Sequence, residues 1–97
     1  MPALMIARVS VKDPDKFQDY VSKAGPTMAE FGGETMFRGK IDKYLTGDAP
    51  KHEITAIFKF PSVEKVEEWY ASDAYQALSP SRDEAADFQF ISYEMMG

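Results

Sequence analysis

FPSVEKVEEWYASDAYQALSPSRDEAA, residues 60–86, decides how the chain is read. Phe60 closes an apolar run, Pro61 and Ser62 turn the chain, and an amphipathic helix begins at Val63. Ser62 suits the N-cap, because its hydroxyl can accept from backbone N–H groups that the first turn leaves unpaired. Val63, Val66, Trp69 and Tyr70 give an apolar stripe at three- and four-residue steps, while Glu64, Lys65, Glu67 and Glu68 face water. This predicts a helix over about 63–71. Asp73 can cap a short following helix with Tyr75 and Leu78, and Ser79-Pro80 can start another short turn through Ala86. The only tryptophan, Trp69, therefore lies within a few turns of Tyr70, Tyr75 and Arg82.

Strands flank this stretch. Before it, EITAIFKF at 53–60 puts Ile54, Ala56, Phe58 and Phe60 on one face and Glu53, Thr55, Ile57 and Lys59 on the other. After it, FQFISYEM at 88–95 is rich in aromatic and β-branched residues. Further upstream, ETMFRGKIDKYLT at 34–46 reads as another strand, with Gly39 marking a bulge or a close approach. Gly47-Asp48-Ala49-Pro50 is the turn that follows.

The first helix is expected from Pro14 to Phe31. Phe17, Tyr20, Val21, Ala24, Met28 and Phe31 share one face, Asp13 can cap it, and Pro14 suits its first position. Gly25-Pro26 predicts a kink or break, because proline lacks the donor and crowds the preceding turn. Gly32-Gly33 predicts a stop. Residues 3–11, ALMIARVSV, form the first strand and are apolar on both faces.

The order is β-α-β-β-α-β. That is the ferredoxin-like α+β plan, a four-stranded antiparallel sheet with both helices on one face. Helices cover one face only, yet the first and last strands are apolar on both. A homodimer through the open sheet face resolves the mismatch.

Composition bounds the rest. The 97 residues make a single domain, with 44% hydrophobic and 28% charged residues. No cysteine is present, so disulfides, thiolate nucleophiles and Cys-ligated metals are excluded. The formal net charge of -5 argues against a nucleic-acid or anionic-membrane partner. The opening MPALMIARV has no basic leader and is interrupted by Arg8, and no apolar run reaches the roughly 20 residues of a membrane helix. A soluble cytoplasmic protein is the expectation.

The chain resembles the family called domain of unknown function 1330, small bacterial proteins of the dimeric α+β barrel superfamily. The resemblance rests on IARVSVKDPDKFQDYV at 6–21, FGGETMFRGK at 31–40, YLTGD at 44–48, and FPSVEKVEEWYASDAYQ at 60–76 with Arg82 downstream. It implies two sheets paired face to face and a cavity in each subunit between sheet and helices. Related families include cofactor-free oxygenases, isomerases and haem-degrading enzymes, and others that only bind ligands; the resemblance implies no single activity. Lys40 departs from the pattern, standing where a second glycine is expected after Arg38-Gly39.

Three groups of side chains bear on function. Trp69, Tyr70 and Tyr75 are either core aromatics with paired polar tips or the wall of a pocket whose hydroxyls orient a small ligand. Arg38 and Arg82 either form ion pairs with a residue such as Glu53, Asp87 or Glu94, or hold an anionic ligand, a carboxylate above all. His52, the only histidine, sits beside a turn, where exposure is the plain expectation; it and Tyr70 are the candidates for proton transfer. No cofactor and no metal are expected, since one His without Cys leaves only unpatterned carboxylates. The ligand expected is a small organic acid or carbonyl compound. The opposing expectation is a cavity plugged by Met28, Phe58 and Trp69, in a non-catalytic module.

Overall fold

The computed structural model describes residues 1–49 and 51–96. Its elements are β1 (Ala3–Val11), α1 (Pro14–Ala29), β2 (Glu34–Lys40), β3 (Ile54–Phe60), α2 (Val63–Ala71), α3 (Asp73–Gln76), α4 (Ser79–Ala85) and β4 (Ala86–Glu94). The four strands pair antiparallel in the order β2-β3-β1-β4. This is the ferredoxin-like α+β fold, with the helices on one face of the sheet.

Alternation along β1 fixes which face is covered. Ala3, Met5, Ala7 and Val9 are buried with Ala56 and Phe60 of β3 under Tyr20, Ala24 and Met28 of α1 and Val66 and Trp69 of α2. The alternate set, Leu4, Ile6, Arg8 and Ser10, is only half-buried. Ile6 lies opposite Ile57 on one side and Ile91 on the other, and Ile57 lies opposite Phe37. One apolar row therefore crosses the uncovered face of the whole sheet.

Local chemistry explains most element ends. Asp13 accepts from the N–H groups of Asp15 and Lys16, and Ser62 accepts from that of Lys65. Gly32 closes the exit from α1 with φ +79, a conformation costly for side chains with a Cβ. Gly33 has the Phe60 ring so close that a Cβ there would sit 2.7 Å from it.

Several expectations are corrected. The Gly25-Pro26 break is not there: α1 runs unbroken to Ala29. Both residues lie on its exposed side, and the buried face continues through Tyr20, Ala24 and Met28. Packing of that face outweighs the cost of one proline near the helix end. The second strand stops at Lys40 rather than residue 46. Lys40 pairs with Ile54, so position 42 would need position 52, and His52 is instead bonded to Ser10 of β1. Of the two readings of Gly39 the bulge is wrong, since the irregularity falls at Met36, between Thr35 and Phe37; Gly39 pairs normally with Thr55 and marks a close approach, a Cβ there lying 2.6 Å from the Phe37 ring. Ser72, not Asp73, caps α3 by accepting from the Tyr75 N–H. The last strand begins at Ala86. Of the 47–50 turn, Gly47 has φ +86, and Pro50 lies outside the described residues.

Candidate functional site

The aromatic stretch folds back onto α1 and β4. Trp69 is fully buried, its ring 4.3 Å from that of Tyr75 and 5.9 Å from those of Phe60 and Phe90. Its indole N–H donates to Thr27 Oγ1 at 3.0 Å. Tyr75 is equally buried and its hydroxyl lies 2.6 Å from that of Tyr20. Arg82 donates from a terminal guanidinium nitrogen to the Tyr75 hydroxyl at 3.3 Å and from Nε to Asp83 at 3.1 Å. No buried side-chain polar atom among the described residues lacks a partner.

These groups back a cleft of about 440 Å³ between α2, α4 and the edge strand β4. Trp69, Tyr70, Arg82, Phe88 and Phe90 form its walls, and Glu67 and Asp83 stand at it as well. The Arg82 side chain is 14% exposed, whereas that of Asp83 is 71% exposed. The guanidinium carbon is 5.9 Å from the ring centres of both Tyr75 and Phe90, within cation–π range.

Burial opposes the charge on Arg82, but its interactions with Tyr75 and Asp83 outweigh this and hold its pKa above the ordinary value. Arg82 therefore stays a cation. Burial pushes the Tyr20 hydroxyl well above the usual tyrosine range, and Tyr75 adds to the effect. Burial raises Tyr75 too, opposed by its hydrogen bonds from Tyr20 and Arg82. Both phenols are neutral at physiological pH, so among the described residues the cation at the cleft has no buried counter-charge.

The sequence-predicted residues divide. Trp69, Tyr70, Tyr75 and Arg82 come together. Arg38 does not join them: it is exposed on β2 and lines a smaller, mostly apolar cavity of about 110 Å³ between α1 and the sheet. Met28 and Phe58 line that smaller space, and Phe88 and Phe90 separate it from the cleft. The ion partners expected for the arginines are also wrong. Arg82 pairs with its neighbour Asp83, and Arg38 has no ion pair among the described residues.

His52 is 7% exposed, against the expectation of exposure, with Nδ1 2.9 Å from Ser10 Oγ. It lines a different, more polar depression with Arg8, Lys12 and Lys51, so it does not face the Arg82 cleft. Sequence reading missed Tyr20 and Thr27 as partners of the cluster. Their place on the inner side of the first helix was the available signal. Among the described residues, no group of three His, Cys, Asp or Glu could hold a metal, and no helix is long and apolar enough to cross a membrane.

Fold and cleft define a small α+β domain with a ligand-sized recess beside its sheet. The chain belongs to the family Domain of unknown function (DUF1330), which it matches over residues 2–96. No curated protein matches it. Among solved structures it is similar to a protein of unknown function from Rhodopseudomonas palustris, with a TM-score of 0.81 at 21% identity over 99% of this chain and 83% of that one. It is also similar to a dimeric ferredoxin-like protein of unknown function from Jannaschia sp. CCS1, with a TM-score of 0.74 at 8% identity over 98% of this chain and 100% of that one. A third neighbour is SnoaB, a cofactor-independent oxygenase from Streptomyces nogalater, with a TM-score of 0.70 at 9% identity over 99% of this chain and 94% of that one. At these identities the likeness is one of fold.

Proposed function

We propose that this is a soluble, cytoplasmic homodimer whose cleft beside β4 binds a small, partly apolar organic anion, with Arg82 as the anchor. The observation that carries this is the Arg82 guanidinium, largely shielded from water, at the wall of a 440 Å³ cleft and paired, among the described residues, with an exposed carboxylate. In such a recess a fixed cation governs the local potential despite the net charge of -5. A recess of a few hundred Å³ with apolar walls and few polar groups is the usual form of a small-molecule site. Trp69 and Tyr75 act as its packed backing, their polar tips already satisfied. Arg38, lining the separate cavity, is the second-choice anchor.

The enzymatic version of this reading rests on Tyr70. It is half-exposed and, like Arg82, lines the cleft, so it is placed to donate a proton or hydrogen bond to a bound carbonyl. The oxygenase neighbour shares the fold and is itself cofactor-independent, which supports an enzymatic reading that needs no cofactor.

The second copy belongs on the open sheet face, where Leu4, Ile6, Ile57, Ile91 and Phe37 lie uncovered by any helix. Such an interface should bury more than roughly 1,000 Å² in total.

A thermal-shift screen of small carboxylates on wild type, Arg82→Met and Arg38→Met tests the anion site. Stabilisation of wild type that disappears in Arg82→Met supports it, with about 2 to 5 kcal/mol of binding lost. No stabilisation by any acid, or equal stabilisation of both variants, leaves a non-catalytic module with an inert recess.

A further inference from the structure

We infer that the ligand class of the Arg82 cleft is a small aromatic carboxylate, a planar ring bearing an acid group; this rests on the anion reading above. The guanidinium has five N–H donors, of which one is engaged by Asp83 and one by Tyr75. Three remain, enough for a two-pronged contact with a carboxylate. Beside that contact stand four aromatic residues, Trp69, Tyr70, Phe88 and Phe90. Phe88 and Phe90 stack at 5.4 Å with 21° between their planes. Trp69 stands at 86° to Phe90 and Tyr70 at 67°, both near 6 Å. Trp69 is fully buried behind them, so the rings an inserted ligand can meet are those of Tyr70, Phe88 and Phe90, with Tyr70 steeply inclined to the other two. An inserted ring can stack on one and meet another edge-on, both preferred arrangements, and a saturated ring of the same size can do neither.

Glu67 and Asp83 at the cleft work against an anion, but both are exposed and screened by water, whereas Arg82 is shielded. Their presence yields its own expectation: Glu67→Gln tightens carboxylate binding.

The test is a matched titration of benzoate and cyclohexanecarboxylate, equal in charge and similar in size, followed by the fluorescence of Trp69. The chain has no other tryptophan, so the signal reports this cluster alone. The expected result is benzoate binding about two- to tenfold tighter, the range that aromatic pairing supplies. Tyr70→Leu, on a half-exposed residue whose loss spares the core, should shrink that preference while retaining the acid, and Arg82→Met should abolish both. Equal binding of the two acids overturns the aromatic class and leaves the anion site standing. Binding of neither acid, with formate and acetate also inert, overturns both. Preference unchanged in Tyr70→Leu and in Phe90→Leu places the ring elsewhere and overturns the assignment.

Discussion

The two faces of the sheet carry parallel rows with opposite characters. On the helix side the row is Arg38, Ala56, Ala7 and Phe90; on the open side it is Phe37, Ile57, Ile6 and Ile91. The helix side puts alanines at its centre, which lets α1 and α2 approach and leaves volume for the large rings of Trp69, Tyr75 and Tyr20. The open side puts branched and aromatic side chains at its centre, with no helix above them. Small residues under large ones make a closed layer within one copy. Large residues facing nothing make sense when another surface covers them. The helix side thus holds the fold and the cleft, and the open side is the surface proposed above for association.

Removing the ring at the centre of the helix side should have the largest effect. Trp69→Ala is expected to cost about 3 to 5 kcal/mol, seen as a lowered denaturant midpoint. An unmoved midpoint would mean that the helix side is not the stabilising layer. Next comes Gly33→Ala, whose new methyl would meet the Phe60 ring at 2.7 Å. Overpacking there should cost about 1 to 3 kcal/mol, read in the same melts.

Tyr20→Phe should cost about 1 kcal/mol, because Tyr75 keeps its bond from Arg82 while losing its bond with Tyr20. It should also change the alkaline limb of the stability curve. The Tyr20 hydroxyl has a raised pKa when folded, so the folded state keeps its proton where the unfolded chain has released it. That contribution is whole below the ordinary tyrosine pKa of about 10 and fades as pH rises beyond it. Tyr20→Phe should therefore lose less stability than wild type between about pH 9 and 11. The smallest effect belongs to the surface: Lys23→Ala, breaking its 3.0 Å pair with Asp19, should cost less than about 0.5 kcal/mol. A loss as large as that of Gly33→Ala would show that exposed charge pairs rival the packed layer.

The sequence made local features legible. Ser62 and Asp13 cap their helices as their positions suggest, and the spacing of Val66 and Trp69 places both in the core. The family resemblance, carried by 60–76 above all, pointed to the fold before any contact was known. What local spacing does not encode is which distant groups meet. Trp69 finds Thr27 42 residues away, Tyr20 finds Tyr75 55 away, and Ser10 finds His52 42 away. The last of these reversed the exposure expected for His52. The same limit separated Arg38 from Arg82: Arg38 follows Phe37 and Arg82 lies a few turns after Tyr75, yet each lines a different cavity.

Sedimentation velocity on wild type and Ile6→Lys tests the contrast between the faces most directly. Ile6 lies at the centre of the open row, between Ile57 and Ile91, and touches neither the helices nor the cleft. Wild type at micromolar concentration should sediment as a dimer, and Ile6→Lys as a folded monomer with unchanged far-ultraviolet circular dichroism. A wild type that sediments only at monomer mass would contradict the account, since the open row would then be stable facing water.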